Sequence, residues 1–517
     1  MHADLSRSTF RPERHYSAVV AQQGRVQLDA DLNEQAAIER HRARTLAADL
    51  IGPYGGPRDA AGFRIEYVGG RHDLDTLYVH GGRYYVDGIL CDATRPAPGT
   101  PVPDEDGHHD DTPQAPPAHW TYWDQPDAFR DPERPGDRLP SPARAPFVVY
   151  LQVWERSVTA AEDPALREVA LGAAVPDTSA RLKVVWQVLP LSLEDLDIED
   201  AEPSKEVVRA AFDAWARRRA VPSARLAARA ERPGHADDDP CLVRPDARYR
   251  GPENQLYRVE IHTGGEAGEA TFKWSRENGS VVFPVDELDG TWVQLATLGH
   301  DDRLDLGVGD HVEVVDTAYA SRLEPLPLLR VEELDLPGRR VRLNAEPGAA
   351  VGRLPHLHPY LRRWDQRTGP RRKGRTAALR EGTVRVEEGE WLPLEDGVEV
   401  YFAKGGTYRT GDHWIVPART ATGTVEWPAD AARRPLLRAP AGIARHFAPL
   451  ALVRGEAGAV DLRRAFGPLA GSVPVADEAT LAAEEQARAE ESAAEAAASG
   501  SRSQTTAEAE AAVEGDE

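Results

Sequence analysis

The sequence predicts a mainly β protein of barrel-like or sandwich-like domains, with an N-terminal α-helix and a short helical insert. Short apolar stretches punctuated by Gly, Pro and Asp recur from residue 63 onward, a spacing typical of barrels and sandwiches. Helical periodicity precedes them at residues 31–51 and returns at residues 203–231. The chain has 517 residues, which is enough for roughly two to four domains.

The N-terminal helix is the clearest single element. Asp31 is a candidate N-cap, with Glu34 three residues later at the spacing of a capping box. Gly52-Pro53 predicts the end of the helix. Its narrow, alanine-rich apolar stripe consists of Leu32, Ala36, Ala43, Leu46, Ala47, Leu50 and Ile51. This stripe packs either against its own chain or against a partner.

The strands follow in order. Residues 76–80 and 83–90 flank Gly81-Gly82, which is a hairpin signal. In residues 257–262, alternation predicts one apolar and one solvated face. Further strands are predicted at 147–154, 182–188, 271–274, 281–285, 311–315, 341–343, 398–402 and 414–416. Residues 203–231 are predicted to form one or two helices with Val207, Val208, Ala211, Phe212 and Trp215 on one face.

These patterns predict five regions. They are an arm and docking helix (1–60), a β-rich domain with a disordered insert near 92–146 (61–200), a helical linker (201–235), a second β-rich domain (236–470) and a disordered acidic tail (471–517). The tail holds twelve acidic residues and two arginines. Its composition favours a flexible, solvated chain.

Charge and composition exclude several classes of protein. The net charge of −23 argues against a nucleic-acid-binding protein, because phosphate contacts require basic patches. No apolar stretch approaches the roughly 20 residues that span a bilayer. The opening residues lack the apolar region of a secretory signal, so we expect synthesis in the cytoplasm and, for any extracellular release, lysis. Cys91 and Cys241 form no disulfide or zinc pattern and are expected to be buried apolar residues.

No motif assigns a metal, a cofactor or a catalytic residue. The segment from Asp29 to Asn33 opens like a calcium loop, but Glu34 and Arg40 stand where that loop requires Gly and Glu. His356 and His358 would lie on one side of a strand, yet no third or fourth zinc ligand accompanies them. Nucleophile-elbow, phosphate-loop and zinc-protease motifs are missing from the sequence.

Three aromatic motifs place a tryptophan beside an arginine and an acidic residue. They lie at residues 154–156, 272–276 and 362–365. A tryptophan on a strand with charged neighbours anchors a buried ion-pair network or forms a platform for a sugar ring. Both interpretations remain open from the sequence.

The N-terminal block, residues 6–16 and 22–35, resembles the opening of a domain-of-unknown-function family encoded beside components of phage-tail-like contractile injection systems. The part Gly24-Arg25-Val26-Gln27-Leu28, followed by Asp31-Leu32-Asn33-Glu34, also resembles the start of phage baseplate and tail-fibre proteins. Segments 150–156, 253–262, 272–280 and 408–419 extend the resemblance over nearly all of residues 1–470.

The resemblance implies a non-enzymatic structural component, associated with the baseplate, spike or fibre, that acts by protein–protein assembly in several copies. The implied docking residues are Phe10, His15, Tyr16, Gln22, Gln23, Gly24, Arg25, Gln27, Asp31, Asn33 and Glu34. We expect Arg25 to pair with a carboxylate of the partner or to cap a neighbouring helix, and residues 22–24 to add to a sheet edge of the partner. The alternatives are a carbohydrate- or receptor-binding β module and a glycan-cleaving enzyme, which would need two carboxylates in a cleft.

Overall fold

The chain folds around β-sheets, as the sequence predicts. The computed structural model describes residues 2–69, 75–96, 119–141, 145–172, 175–200, 202–231, 248–299, 303–348, 351–367, 379–455 and 458–468. In this part of the chain there are two α-helices, α1 (Asp29–Ile51) and α2 (Lys205–Ala220). Neither is long and apolar enough to cross a membrane. Residues 1–466 form one compact unit.

The strands are numbered in chain order. The first nine are β1 (Tyr54–Pro57), β2 (Ile65–Val68), β3 (Thr76–His80), β4 (Arg83–Val86), β5 (Ile89–Asp92), β6 (His119–Thr121), β7 (Phe147–Val158), β8 (Arg181–Ser192) and β9 (Leu226–Ala230). The next eight are β10 (Gln255–Thr263), β11 (Thr271–Ser275), β12 (Val282–Asp289), β13 (Trp292–Leu295), β14 (His311–Val315), β15 (Leu328–Asp335), β16 (Arg340–Leu343) and β17 (Tyr360–Trp364). The last eight are β18 (Val384–Arg385), β19 (Trp391–Pro393), β20 (Val398–Phe402), β21 (His413–Arg419), β22 (Thr424–Val425), β23 (His446–Val453), β24 (Ala459–Asp461) and β25 (Ala465–Phe466).

The sheets combine a closed barrel with open sheets. The barrel has the strand order β12-β13-β16-β15-β14-β17, and its interior is apolar. The open sheets have the orders β25-β1-β4-β5, β2-β3-β6, β24-β23-β7-β8, β18-β11-β10-β21-β22 and β19-β20-β9. Because β23 pairs with β7 and β25 with β1, late strands complete sheets that early strands begin. These pairs cross the predicted boundaries between the five regions. Strand pairing alone does not establish where domains begin and end, so the five-region division remains a prediction.

Helix α1 starts two residues earlier than predicted, and its N-cap is not Asp31. The N-cap is Leu28, whose backbone N–H donates to Asp31 Oδ2 at 3.1 Å. Asp29 and Asp31 both lie in the first turn, where the helix dipole favours acidic side chains. At the other end, Gly52 terminates the helix as predicted, with φ 91° and its N–H bonded to the carbonyl of Ala48 at 2.8 Å.

The hairpin predicted at Gly81-Gly82 is wrong. Strand β3 pairs with β2 and β6, whereas β4 pairs with β1 and β5. The tight turn lies instead at Asp87-Gly88, where both residues have positive φ, 47° and 76°. An Asp-Gly pair is a preferred sequence for this two-residue hairpin turn, because both of its central residues need a left-handed backbone.

The helical insert is shorter than predicted. Helix α2 ends at Ala220, and residues 226–230 form strand β9, which pairs with β20. On α2, Val208, Phe212 and Trp215 are buried as predicted, whereas Val207 is exposed. Aromatic contacts with Tyr150 and Phe447 hold this face against the sheet, with ring centroids 5.1–5.9 Å apart.

The segment interpreted as a long insert contains ordered structure. Residues 119–121 form β6, and Asp137 is buried against Arg322 with an N–O distance of 2.8 Å. Residues 97–118 and 142–144 lie outside the described residues, as does the predicted acidic tail. Cys91 is buried as predicted, and burial raises the pKa of its thiol to about 12. Cys241 lies outside the described residues.

Candidate functional site

The implied docking residues divide into exposed and half-buried groups. The exposed ones are His15, Tyr16, Gln22, Gln23, Gly24, Arg25, Gln27 and Asn33. The half-buried ones, Phe10, Asp31 and Glu34, have contacts inside the chain. Phe10 lies against the ring of His41, and Glu34 accepts a hydrogen bond from Thr9 Oγ1 at 2.5 Å. The structure therefore leaves most of this set free to contact another molecule.

The segment proposed to add to a sheet edge is a turn. The N–H of Arg25 donates to the carbonyl of Gln22 at 3.2 Å, and Gly24 has φ 70°. A left-handed residue in a turn does not continue an extended ladder, so strand addition at residues 22–24 would require this turn to open, and it stays a prediction. The exposed side chains of this turn are still available for contact.

The first residues of the arm are anchored in the body of the protein. His2 Nε2 lies 2.9 Å from Glu260 Oε2, and the N–H of His2 donates to Ser157 Oγ at 2.8 Å. The carbonyl of Ala3 accepts from Asn278 Nδ2 at 2.8 Å. By contrast, residues 12–29 are exposed apart from half-buried Val19, whose N–H donates to Gln35 Oε1.

Helix α1 turns much of its apolar stripe to solvent. Leu32, Leu46 and Leu50 are each more than half exposed, and Ala43 is exposed as well. Only Ala30 and Ile38 of the helix are buried. Of the two packing alternatives left open by the sequence, packing against the described residues of its own chain does not account for these leucines.

A second candidate site, which the sequence interpretation did not assign, is a charged cavity of about 340 Å³. Its walls come from β7, from β10, β11 and β21, and from the barrel strands β14 and β17; α1 and the start of the arm also contribute. Alternation along β10 points Arg258, Glu260 and His262 to one face. The sequence predicted that this polar face is solvated, but all three residues are buried.

Ion pairs link the cavity walls. Glu260 accepts from Arg258 Nε at 2.6 Å and lies 3.4 Å from Lys273 Nζ. Lys273 donates to Glu313 Oε1 at 2.8 Å, which joins β11 to the barrel. Trp364 Nε1 donates to the other oxygen of Glu313 at 3.3 Å, and Lys273 Nζ lies 4.3 Å from the ring centroid of Trp364. A separate pair, Arg156–Glu162, lies on the same cavity with an N–O distance of 2.6 Å.

The buried titratable groups are strongly shifted. Burial alone would raise the pKa of Glu260, but the charges of Arg258 and Lys273 and the hydrogen bond with His2 hold it well below its usual range. Burial and the neighbouring Arg258 lower the pKa of His2 and of His413. Burial and Lys273 lower the pKa of His262 to about 4. These carboxylate and imidazole groups are therefore ionised and neutral, respectively, at pH 7.

Of the patterns in the sequence, the three aromatic motifs are the ones that contribute residues to this cavity. Arg156, Lys273, Arg362 and Trp364 all come from those motifs. Arg156 and Lys273 form ion pairs and Trp364 lies against Lys273, whereas Arg362 forms no ion pair among the described residues. No local pattern pointed to His2, Glu313 or Tyr360. The contacts of His2 and Glu313 with the network join residues far apart in sequence, so only the tertiary structure could reveal them, whereas Tyr360 bonds to Arg362 two positions away on β17.

A carbohydrate-binding function would require Trp120, Trp123 or Trp391 to be exposed beside polar groups. All three are half-buried and contact other groups of the chain. Trp120 and Trp391 have arginine side chains over their rings, from Arg95 at 4.5 Å and Arg229 at 4.1 Å. Trp123 Nε1 donates to the carbonyl of Asp75 at 3.2 Å. The carbohydrate-binding and glycan-cleaving functions both remain predictions, without a specific observation that favours either.

The His356/His358 pair does not lie on a strand. Pro355–Leu357 form a 3-10 helix, and His358 has a left-handed backbone with φ 48°. Proline fixes the backbone for this turn, so the two rings do not share a strand face. Within the described residues, no group of three or more His, Cys, Asp or Glu side chains could hold a metal ion.

These features define a mainly β protein with an exposed apolar arm and helix and a buried, charged cavity. The chain belongs to a family of unknown function (DUF6519), which it matches over residues 1–218 and 194–512. The resemblance to a domain-of-unknown-function family is thereby confirmed. Comparisons with curated proteins and with solved structures found no significant match.

Proposed function

We propose that this protein is a structural component of a phage-tail-like contractile injection system, associated with its baseplate, spike or fibre. In this proposal the arm and α1 dock on a helix of another subunit of the particle. One observation carries it: the arm and α1 expose large apolar side chains that the described chain leaves uncovered. They are Tyr16, Val20, Val26, Leu28, Leu32, Leu46 and Leu50. Contiguous exposed apolar surface is typical of protein-interaction sites.

The spacing on α1 suits a partner helix. The core positions of a heptad repeat are separated by steps of three and four residues in turn. The steps from Leu32 through Ala36, Ala43 and Leu46 to Leu50 are four, seven, three and four residues, and the step of seven is a three and a four joined across Glu39. Glu39 interrupts the series and is bonded to Gln35 Nε2 at 2.7 Å. The alanines leave room for a second helix to approach closely, and the leucines would fill the spaces between its side chains.

The assignment to a contractile particle depends on the resemblance of the N-terminal block to phage baseplate and tail-fibre proteins. That is an association between families, so it identifies a class of partner and not a contact. The exposed side chains argue independently for assembly. A test must therefore ask separately whether α1 binds anything and whether the particle is what it binds.

The test uses the full-length chain with Leu32, Leu46 and Leu50 all changed to Glu, expressed in the source organism. Contractile particles are purified by sedimentation, and the chain in them is quantified by mass spectrometry. We expect the wild-type chain to co-purify and the triple variant to remain in the supernatant, because three carboxylates cannot enter an apolar interface. Val308→Glu, which alters an equally exposed apolar residue outside α1, is the matched control and should co-purify.

Substitutions are preferable to deletion of residues 1–52. Deletion would remove His2 and Ala3, which bond to Glu260 and Asn278 in the body, and would also remove Arg44, which pairs with Glu155. Loss of binding after deletion could then reflect damage to the fold. Undiminished co-purification of the folded triple variant would contradict docking through α1, and absence of the wild-type chain from the particles would contradict the particle assignment.

A further inference from the structure

The charged cavity has a surplus of positive charge. Its lining includes six cationic side chains, Arg40, Arg44, Arg156, Arg258, Lys273 and Arg362, and five carboxylates, Glu155, Glu162, Glu260, Glu313 and Glu324. Each carboxylate has a cationic partner with an N–O distance of 3.0 Å or less. Within the described ranges, Arg40 and Arg362 have no ion pair. Glu324 pairs with Arg322, which lies outside the lining, so the ion pairs among the lining residues leave two arginines over, the buried Arg362 and the half-buried Arg40.

Arg362 is the buried one of these two arginines. It stands directly opposite Glu313 in the pairing of β14 with β17, but Glu313 bonds to Lys273 and Trp364 instead. The hydrogen bond of Arg362 is from Nη2 to Tyr360 Oη, at 3.1 Å. Its Nε has no hydrogen-bond partner among the described residues, although the residue is only 9% exposed. Burial penalises this charge, and although Glu313, Glu162 and Glu260 raise its pKa, none of them forms an ion pair with it among the described residues, which leaves Nε open to an anion.

The neighbouring groups on the cavity include a phenol donor and an imidazole whose Nδ1 carries a proton in one of its two neutral tautomers. His262 is 8% exposed, and its Nδ1 has no hydrogen-bond partner in the described chain. Tyr360 lies beside Arg362 on β17, and burial raises the pKa of its phenol, so the hydroxyl keeps its proton. A guanidinium and a phenol together match the oxygens of a planar anion.

The lining also has an apolar part. Leu5, Ile89, Leu182, Val315 and Ile415 contribute to the cavity. Its volume is at the lower end of the range of about 300–1,000 Å³ that small-molecule sites occupy. A ligand that fits must therefore be small, with an anionic end for Arg362 and an apolar part for these side chains.

We propose that this cavity binds a small organic monocarboxylate, with its carboxylate on Arg362 and Tyr360. A carboxylate matches the one buried arginine of the lining that has no ion pair among the described residues, Arg362, whereas a phosphate dianion would bring a second charge against the apolar side chains of the lining. The proposal goes beyond docking through α1 and is independent of it, because the site and the exposed stripe share no residue. The half-buried Arg40, on α1, attracts the anion toward the cavity.

The test is calorimetric titration of the full-length protein at constant ionic strength. The probes are acetate, benzoate and gluconate, with benzylamine as the cationic counterpart of benzoate and inorganic phosphate as the competing oxyanion. We expect at least one carboxylate to bind at millimolar concentration or below, with benzylamine giving no heat of binding. Absence of binding by all three carboxylates, tighter binding of phosphate, or equal binding of benzylamine would overturn the proposal.

Two variants locate the binding. Arg362→Gln should weaken carboxylate binding at least tenfold, and Tyr360→Phe, which keeps the ring and removes only the hydroxyl, should weaken it several-fold. Arg330→Gln changes an exposed barrel arginine outside the cavity lining and should leave binding unchanged. If Arg362→Gln does not fold, Tyr360→Phe decides the question. Undiminished affinity in a folded Tyr360→Phe or Arg362→Gln variant would overturn the assignment.

Discussion

The two helices use apolar side chains in opposite ways. Helix α2 buries Val208, Phe212 and Trp215 in a cluster with residues of β7 and β23. Helix α1 is longer, at 23 residues against 16, yet buries only Ala30 and Ile38. Three leucines of α1 remain exposed. The position of α2 is thus set by apolar packing within the chain, whereas α1 keeps an apolar face that the described residues leave exposed.

The largest expected effect comes from removing a buried ring of α2. Phe212→Ala should lower the free energy of unfolding by about 3–5 kcal/mol, because it removes apolar contacts and leaves a cavity beside Tyr150 and Trp215. Denaturant titration measures the change. Val207→Ala, at an exposed position of the same helix, is the control and should change stability by less than about 0.5 kcal/mol. Equal effects of the two substitutions would contradict the assigned buried face.

The same contrast between buried and exposed surfaces can be tested with His262, a titratable group that lines the charged cavity together with Arg40 and Arg44 of α1. His262 has a pKa lowered to about 4, so the unfolded chain binds its proton more readily between pH 4 and its ordinary value. Its contribution is present above pH 6.5 and should be lost as the pH falls toward 4. The loss amounts to about 3 kcal/mol.

This pH dependence is measured by unfolding titrations at several pH values. In His262→Asn, stability should fall less steeply between pH 6.5 and 4 than in the wild-type protein. Thr263→Ser alters the exposed neighbour on β10 and should retain the wild-type slope. Identical slopes for wild type and His262→Asn would show that His262 is not buried in its neutral form.

A smaller effect concerns the charged anchor of α1. Arg44 binds Glu155 through two hydrogen bonds of 2.9 and 2.5 Å, which hold α1 to β7. Arg44→Gln should lower stability by about 1 kcal/mol, because the pair is only partly buried. Hydrogen exchange should become faster in α1 while α2 is unaffected. Arg42→Gln, exposed on the same helix, is the control, and faster exchange in α2 would contradict a local role.

The smallest expected effect tests the exposed face directly. Leu46→Ala should change the free energy of unfolding by less than about 0.5 kcal/mol, because the side chain is 62% exposed. Thermal or denaturant unfolding at low protein concentration measures it. A loss above 2 kcal/mol would mean that residues of the same chain cover this face, and the contrast between α1 and α2 would fail.

The sequence alone predicted the β class, the two helices and three of the six barrel strands, β12, β14 and β16, because these depend on local periodicity. It placed the hairpin at Gly81-Gly82 and made residues 83–90 one strand, whereas the turn lies inside that range at Asp87-Gly88. Both sites contain glycine, and only strand pairing distinguishes them. It also extended the second helical region through β9. Alanine and arginine favour helices in isolation, whereas pairing with β20 makes residues 226–230 a strand.

The sequence by itself determined which residues alternate on β10 and which recur on α1. Only the tertiary structure decided which of those faces meets water. The polar face of β10 is buried because the arm, β11 and the barrel bring His2, Lys273 and Glu313 to it, from positions up to 258 residues away. The apolar face of α1 is exposed because no strand of the described chain is brought over it. Periodicity is a local property, whereas burial depends on contacts between distant residues.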